Sequence, residues 1–430
     1  MKPLVHLVLA CLLLLSMQQD TAAANYIEVT AAGNRLLKLA VVPPQPMGTV
    51  IRPELANETA EVHSFDLTMS GLVTAERRDA APLAHGLALT PMDFIPWLSA
   101  GYDLLIRGEY ELRGQELTLE FRLYDVVAKK LLTSKRFLGR EKDLRRYAHS
   151  FSDEVLRVLT GEKGAFTSKI IYVSTQSGNK ELAMMDWDGF NGQQLTGNRS
   201  INLSPDISPD GREVIFTSYK RGNPDLYKRA LSSNLEVPVS SRSGLNITGA
   251  WSPDGSKIAL ALSKDGNTEI YTIAKDGSSP NRLTVSHAAN VSPAWTPDGS
   301  KIAFVSDRLG KPQIFVMDAN GGNVRRLITN GSYNVNPSWS PKGDKLAFAR
   351  MAGGFQIFVA NADGSNETQL TFEGNNERPR WSPDGRLIAF SSRRGGQEAI
   401  YVMRADGSGQ TKVSRSKGLS QHPIWSPRSQ

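Results

Sequence analysis

The phrase Trp251-Ser252-Pro253-Asp254-Gly255 returns as Trp295-Thr296-Pro297-Asp298-Gly299, Trp339-Ser340-Pro341-Lys342-Gly343 and Trp381-Ser382-Pro383-Asp384-Gly385, and in shorter form as Ser208-Pro209-Asp210-Gly211 and Trp425-Ser426-Pro427. Its prolines, at 209, 253, 297, 341, 383 and 427, stand 44, 44, 44, 42 and 44 residues apart. A repeat of that length is one four-stranded propeller blade. Within each phrase Pro presets φ for the second position of a tight turn, Asp suits the third, and Gly closes it. Unbroken apolar runs follow, such as Val214-Ile215-Phe216, Ile302-Ala303-Phe304 and Leu387-Ile388-Ala389-Phe390. Runs without alternation belong to strands buried on both faces, as strands between stacked blades are. A third strand (Ile270-Tyr271, Ile314-Phe315, Ile400-Tyr401), an Asp-Gly turn (Asp276-Gly277, Asp363-Gly364) and a fourth strand near Leu283-Thr284 or Leu370-Thr371 complete the unit.

The sixth phrase ends almost at the C-terminus, so its blade lacks three strands. They are expected upstream, at Ile170-Ile171-Tyr172-Val173, at Leu182-Ala183-Met184-Met185 and at Gln194-Leu195-Thr196. The strand around Ile424-Trp425 then closes a ring of six blades over 168–430 and removes its open edges.

Residues 1–24 carry Lys2, an apolar run from Leu4 to Leu15 and a small-residue exit at Ala22-Ala23-Ala24. These are the parts of a cleaved secretory signal, with cleavage expected after Ala24. Ala10-Cys11 has the look of a lipoprotein cleavage site, but the apolar run continues past it. Cys11 is the only cysteine, so the expected mature chain has no disulfide and no thiolate ligand. The formal charge of +7 is scattered without a basic run or an aromatic stripe, which argues against nucleic-acid binding.

Residues 25–165 lack the repeat and mix patterns. Leu36 to Val42, Tyr102 to Tyr110, Leu117 to Val127 and Leu131 to Phe137 read as strands. Glu141 to Leu159 reads as an amphipathic helix stopped by Gly161. The expected fold is therefore an all-β six-bladed β-propeller preceded by a small α/β domain, with Gly161-Glu162-Lys163-Gly164 as a hinge.

No Gly-x-Ser-x-Gly nucleophile elbow, phosphate loop or dinucleotide fingerprint is present, and His63, His85, His149, His287 and His422 lack metal-ligand spacing. A propeller-type hydrolase or metal-dependent enzyme remains the alternative class, with no cofactor or metal expected. Five residues before each Trp, or before Ile207 in its place, stand Asn202, Asn246, Asn290, Asn334, Asn376 and Ser420. They are expected to ring one mouth of the channel. The competing reading is that each Asn caps the turn between blades. Two positions on, Ser204, Thr248, Ser292, Asn336, Arg378 and His422 extend a polar lining, with Leu245, Val291 and Tyr333 beside it. Varied side chains at equivalent places suit a protein-contact surface better than turn chemistry.

The expected mature chain as a whole resembles the TolB family of the Tol/Pal cell-envelope system. The resemblance is carried by Leu144-Arg145-Arg146-Tyr147-Ala148-His149, Ser152-Asp153-Glu154-Val155, Leu159-Thr160-Gly161-Glu162-Lys163-Gly164-Ala165-Phe166, the six blade phrases and the closing Pro423-Ile424-Trp425-Ser426-Pro427. Ile207 for Trp, Leu231-Ser232-Ser233 for an Asp-Gly turn and Lys342 for Asp are local departures. The resemblance implies a monomeric, non-catalytic periplasmic adaptor that aids outer-membrane integrity and envelope constriction at division. It further implies that the lipoprotein Pal is bound at the propeller mouth through the residues just named, and the C-terminal domain of TolA through Asn25 to Gly33, whose Asn25, Tyr26, Ile27, Glu28, Val29 and Thr30 are extended in pattern. Other outer-membrane proteins are further partners within the same implication.

Overall fold

The computed structural model describes residues 35–79 and 93–428. The signal expected over 1–24, the segment 25–33 and His85 lie outside the described residues.

The first unit is a mixed sheet. Strand β1 (Leu37–Val41) lies parallel between β3 (Val73–Arg77) and β4 (Leu104–Arg113). From β4 the sheet continues antiparallel through β5 (Glu116–Asp125) to β6 (Lys130–Arg140), with the short β2 (Gln45–Pro46) paired to β4. Helix α1 (Pro53–Met69) starts with Pro at its first turn, where a missing N–H costs nothing. After α2 (Ile95–Ser99) comes α3 (Leu144–Thr160), preceded by a 3-10 turn over Glu141–Asp143 and ended by Gly161 at φ 77°, a left-handed cap that a side chain would strain. Tyr147, Phe151, Val155, Leu156 and Leu159 on α3 pack with Leu55, Ala60 and Leu67 of α1 and with Leu119, Phe121 and Leu123 of β5. Helix α1 has no counterpart among the sequence expectations, because its inward face includes the polar Thr59, His63 and Asp66, all buried.

The ring has six four-stranded blades. Inner strands run over Asn202–Ile207, Asn246–Trp251, Asn290–Trp295, Asn334–Trp339, Asn376–Trp381 and Ser420–Trp425 for blades 1 to 6. The last pairs antiparallel with Lys169–Ser174, in the register Ser420 to Ser174 and Trp425 to Ile170, so the two ends of the propeller sequence share one sheet. Neighbouring blades are joined by the repeated residues themselves. The indole N–H of Trp295, Trp339, Trp381 and Trp425 donates to the carbonyl of Ala250, Ala294, Ser338 and Arg380 on the preceding blade, at 3.1–3.2 Å. Trp251 follows the blade that carries Ile207, and its indole N–H has no partner. Close approach explains the Asp-Gly turns: at Gly277, φ 89°, a Cβ would overlap the carbonyl oxygen of Val239 on the blade before.

Two faces result. Turns between strands one and two and between strands three and four lie on one face, loops between strands two and three and between blades on the other. Among the described residues, polar contacts between the first unit and the ring fall on the turn face: Lys342 Nζ to Glu162 at 3.0 Å, Arg404 Nη2 to the Thr68 carbonyl at 2.8 Å, and Arg145 to Asp188.

The expected hinge at 161–164 is a clasp instead. The Asp153 carboxylate accepts from the backbone N–H of Phe166 at 2.8 Å and Thr167 at 3.2 Å, and a Cβ on Gly164 would stand 2.5 Å from Asp153 Oδ1. Beside the clasp Trp187, fully buried, stacks on Phe65 at 5.0 Å and Trp425 at 6.4 Å and lies tilted against Phe166 at 5.2 Å. One hydrophobic cluster thus runs from the sheet of the first unit into blades 5 and 6.

Candidate functional site

Each inner strand carries a bulge between its second and fifth residues. The bulge places the third residue in left-handed backbone: Ser204, Thr248, Ser292, Asn336, Arg378 and His422 have φ between 49° and 57°. Left-handed backbone disfavours side chains, most of all a β-branched Thr, at about 1–3 kcal/mol each. Repetition in six blades makes it a designed feature that turns six varied side chains toward the axis. They line a narrow polar pocket on the axis, toward the loop end of the inner strands and away from the turn face that carries the first unit.

The asparagines stand elsewhere. Asn202, Asn246, Asn290, Asn334 and Asn376 are fully buried, as is Ser420 nearly so, and they do not reach the mouth. Their amides hold the loops between blades: Asn246 Nδ2 donates to the carbonyls of Arg242 (2.7 Å) and Gly244 (3.1 Å), Asn290 Nδ2 to the Ala288 carbonyl at 3.2 Å, Asn334 Nδ2 to the Asn330 carbonyl at 2.9 Å, Asn376 Nδ2 to the Glu373 carbonyl at 2.8 Å and Asn202 Nδ2 to Asn198 Oδ1 at 3.0 Å. The capping reading therefore replaces their reading as contact residues. Of the neighbours, Leu245 and Tyr333 are half-buried on the rim, Tyr333 set edge-on to Phe355 at 5.5 Å, while Val291 packs inward between blades.

Sequence reasoning missed the rim's apolar residues. Ile201, Val285, Leu309, Met351 and Phe372 are exposed by 46, 82, 59, 44 and 74%, and all five sit at the loop face. A signal was present, since Val285 and Phe372 each follow a Leu-Thr or its continuation directly into a polar loop.

The axis is cationic. Arg378 and Arg380 come from one strand, and burial together with their mutual repulsion holds Arg378 down to about 10. Below them burial pushes Asp206 up to about 6, against the pull of Arg380, and its carboxylate accepts from the Trp251 backbone N–H at 2.8 Å. Burial and the nearby Arg378, Lys180 and Arg380 hold His422 well below the usual imidazole range. The ring is therefore neutral, and its Nδ1 accepts from the Ser204 backbone N–H at 3.2 Å. That leaves the proton on Nε2, so His422 presents a donor and is a poor base for the hydroxyls of Ser204, Thr248 or Ser292.

One further group has metal-ligand character: His149, Asp186 and Asp188 offer atoms within 4.8 Å of one another. Their charges are already met. Asp186 accepts from Lys169 Nζ at 2.5 Å and Asn191 Nδ2 at 2.6 Å, Asp188 pairs with Arg145, and His149 Nδ1 is 2.9 Å from Asp66 Oδ2. Burial opposes charge on His149, but Asp66 and Asp188 prevail and push it up to about 10. The cluster is an ion-pair knot under the joint, with protein cations where a metal would stand.

Against known proteins, residues 156–429 match the model of the TolB beta propeller domain and 25–132 that of the TolB amino-terminal domain. Identity to the Tol-Pal system protein TolB of Geobacter metallireducens is 61% over 404 residues, 94% of each chain. The chain belongs to the TolB family. TolB of Geobacter sulfurreducens is 59% identical over 403 residues, covering 94% of this chain and 93% of that one. A crystal structure of TolB from Acinetobacter baumannii superposes with a TM-score of 0.80 at 26% identity, covering 92% and 97% of the two chains. The six-bladed propeller and the unit before it are thus the architecture of TolB.

Proposed function

We propose that this TolB-family chain is a periplasmic, non-catalytic adaptor of the Tol-Pal system, delivered by its N-terminal signal, monomeric, and serving outer-membrane integrity and constriction at division. Pal docks on the loop face, over the mouth lined by Ser204, Thr248, Ser292, Asn336, Arg378 and His422. The observation that carries this is the set of five large apolar side chains exposed on the loop face, opposite the face that holds the first unit's polar contacts among the described residues. Exposed apolar residues on one face favour a partner surface, and the strained backbone of the axial residues on the same side strengthens the reading. Asn25 to Gly33 supplies the second contact, to the C-terminal domain of TolA, as an added strand.

Calorimetric titration of the mature chain with each partner tests both halves. Thr248→Asp or Ser292→Asp is expected to lower Pal affinity by about 2–5 kcal/mol by burying an unpaired carboxylate. A chain starting at Asn34 keeps its Pal affinity and loses TolA. Parent-like Pal binding by both Asp variants removes the mouth as the site, and TolA binding by the shortened chain removes the N-terminal assignment.

A further inference from the structure

Arg378 has no hydrogen bond and no ion pair among the described residues. Glu377 and Glu398 attract it only from beyond bonding distance and are engaged elsewhere: Glu377 accepts from Asn375 Nδ2 at 2.8 Å and Glu398 pairs with Arg393 at 3.1 Å, while the buried Asp206 has Arg380 as its cation. A guanidinium drawn partly out of water without a bonded counter-ion is costly, and proteins keep such groups where something arrives to pair them. The surroundings suit one kind of arrival. Hydroxyls of Ser204, Thr248 and Ser292 and the Nε2–H of His422 can all donate into the same cavity, and no carboxylate lines its outer layer. Convergent donors around one cation bind an anion, and the planar fork of Arg matches a carboxylate in two hydrogen bonds.

We propose that the axial pocket is a carboxylate site, anchored by Arg378, whose occupant is an Asp or Glu side chain of the docked protein. This rests on the loop face being the partner surface. The pocket lies on the axis toward that face, and Phe372 stands exposed on the loop leading into the strand of Arg378. A buried charge pair ringed by apolar contacts is the usual make-up of a binding hot spot. A side chain delivered by a docked protein arrives already positioned, whereas a free anion gives up its own translational and rotational freedom to enter.

The test uses the full mature chain and the Pal periplasmic domain in calorimetry, with Arg378→Gln and Arg378→Lys. Losing the pair is expected to weaken binding about 30-fold or more, the equivalent of about 2 kcal/mol, with Arg378→Lys intermediate. One Asp→Asn or Glu→Gln variant of Pal is expected to show the same loss, and no further loss against Arg378→Gln. The free Arg378→Gln chain melts no lower than the parent, because the arginine makes no bond in it. Parent-like Pal binding by Arg378→Gln, alongside a loss by Thr248→Asp, overturns the carboxylate site and leaves the adaptor reading standing. Failure of the parent chain to bind Pal overturns the adaptor reading and the protein occupant together. Acetate titrated into the free chain separates the other source: saturable binding that Arg378→Gln abolishes, with Pal affinity unchanged, makes the occupant a free anion and overturns the protein side chain.

Discussion

Replacing the repeated tryptophans by phenylalanine, one at a time, separates the two jobs of the repeat. Trp251→Phe, Trp295→Phe, Trp339→Phe, Trp381→Phe and Trp425→Phe all remove the same ring volume from equivalent places. Four of them also remove an indole donor from a neighbouring carbonyl at 3.1–3.2 Å, while Trp251 has no such partner. Loss of a donor that leaves a buried acceptor unmet costs about 1–3 kcal/mol. Trp251→Phe goes the other way on that account, since it relieves an unpaired buried N–H, so the four are expected to exceed it by at least about 1 kcal/mol. In urea, followed by circular dichroism, the four variants should show lower midpoints than Trp251→Phe at unchanged slope, which assigns the difference to stability and not to a changed unfolded state. In a ring of this size that difference is about 2–4 °C per kcal/mol in melting temperature. Equal midpoints across all five would refute the indole bond as the joint between blades and leave shape alone to explain the repeat.

Gly277→Ala should cost about 3 kcal/mol or more in thermal unfolding, and Gly222→Ala about 1, because both have φ near 90° but only Gly277 faces a neighbouring carbonyl. His149, whose folded-state value is raised to about 10 by Asp66 and Asp188, lends stability that is fully present below its ordinary 6.5 and is lost as pH climbs through 10. His149→Gln is therefore expected to flatten the alkaline limb of a stability-pH curve, and an unchanged limb removes His149 from the knot. Phe372→Ser, at a side chain 74% exposed, should weaken Pal binding at least tenfold, about 1.4 kcal/mol, with the melting temperature unmoved.

The ring was legible because turn chemistry recurs at a fixed period and buried strands are continuously apolar, signals that need no tertiary knowledge. Closure at Ile424-Trp425 followed from counting strands. Helix α1 escaped because Thr59, His63 and Asp66 occupy its inward face, where periodicity reasoning looks for apolar residues; Thr59 bonds back to the Leu55 carbonyl, and the partners of His63 and Asp66, Ser152, His149 and Trp187, lie 83 to 121 residues away. The third positions of the inner strands line the axial pocket, yet the bulge that points them there leaves no mark in sequence, since no Gly occupies the left-handed site. Asparagine was ambiguous for a plain reason: its amide serves a turn or a partner equally well, and only burial decides. The rim residues Val285 and Phe372 were visible as letters, but exposure is a property of the folded surface.

The seam where the ring closes is also where the first unit is held. Trp187 meets Trp425, Phe166 and Phe65 there, so residues from the start, middle and end of the chain complete one another. While the last strand is missing, the first unit lacks part of its floor, and the sixth blade presents a bare edge at Lys169–Ser174. Assembly therefore waits for the final dozen residues, and contacts of such long sequence separation make it slow. A chain cut short near its end is left without a finished ring and with an adhesive strand exposed, a species for proteases to remove and not a weakened adaptor that lingers.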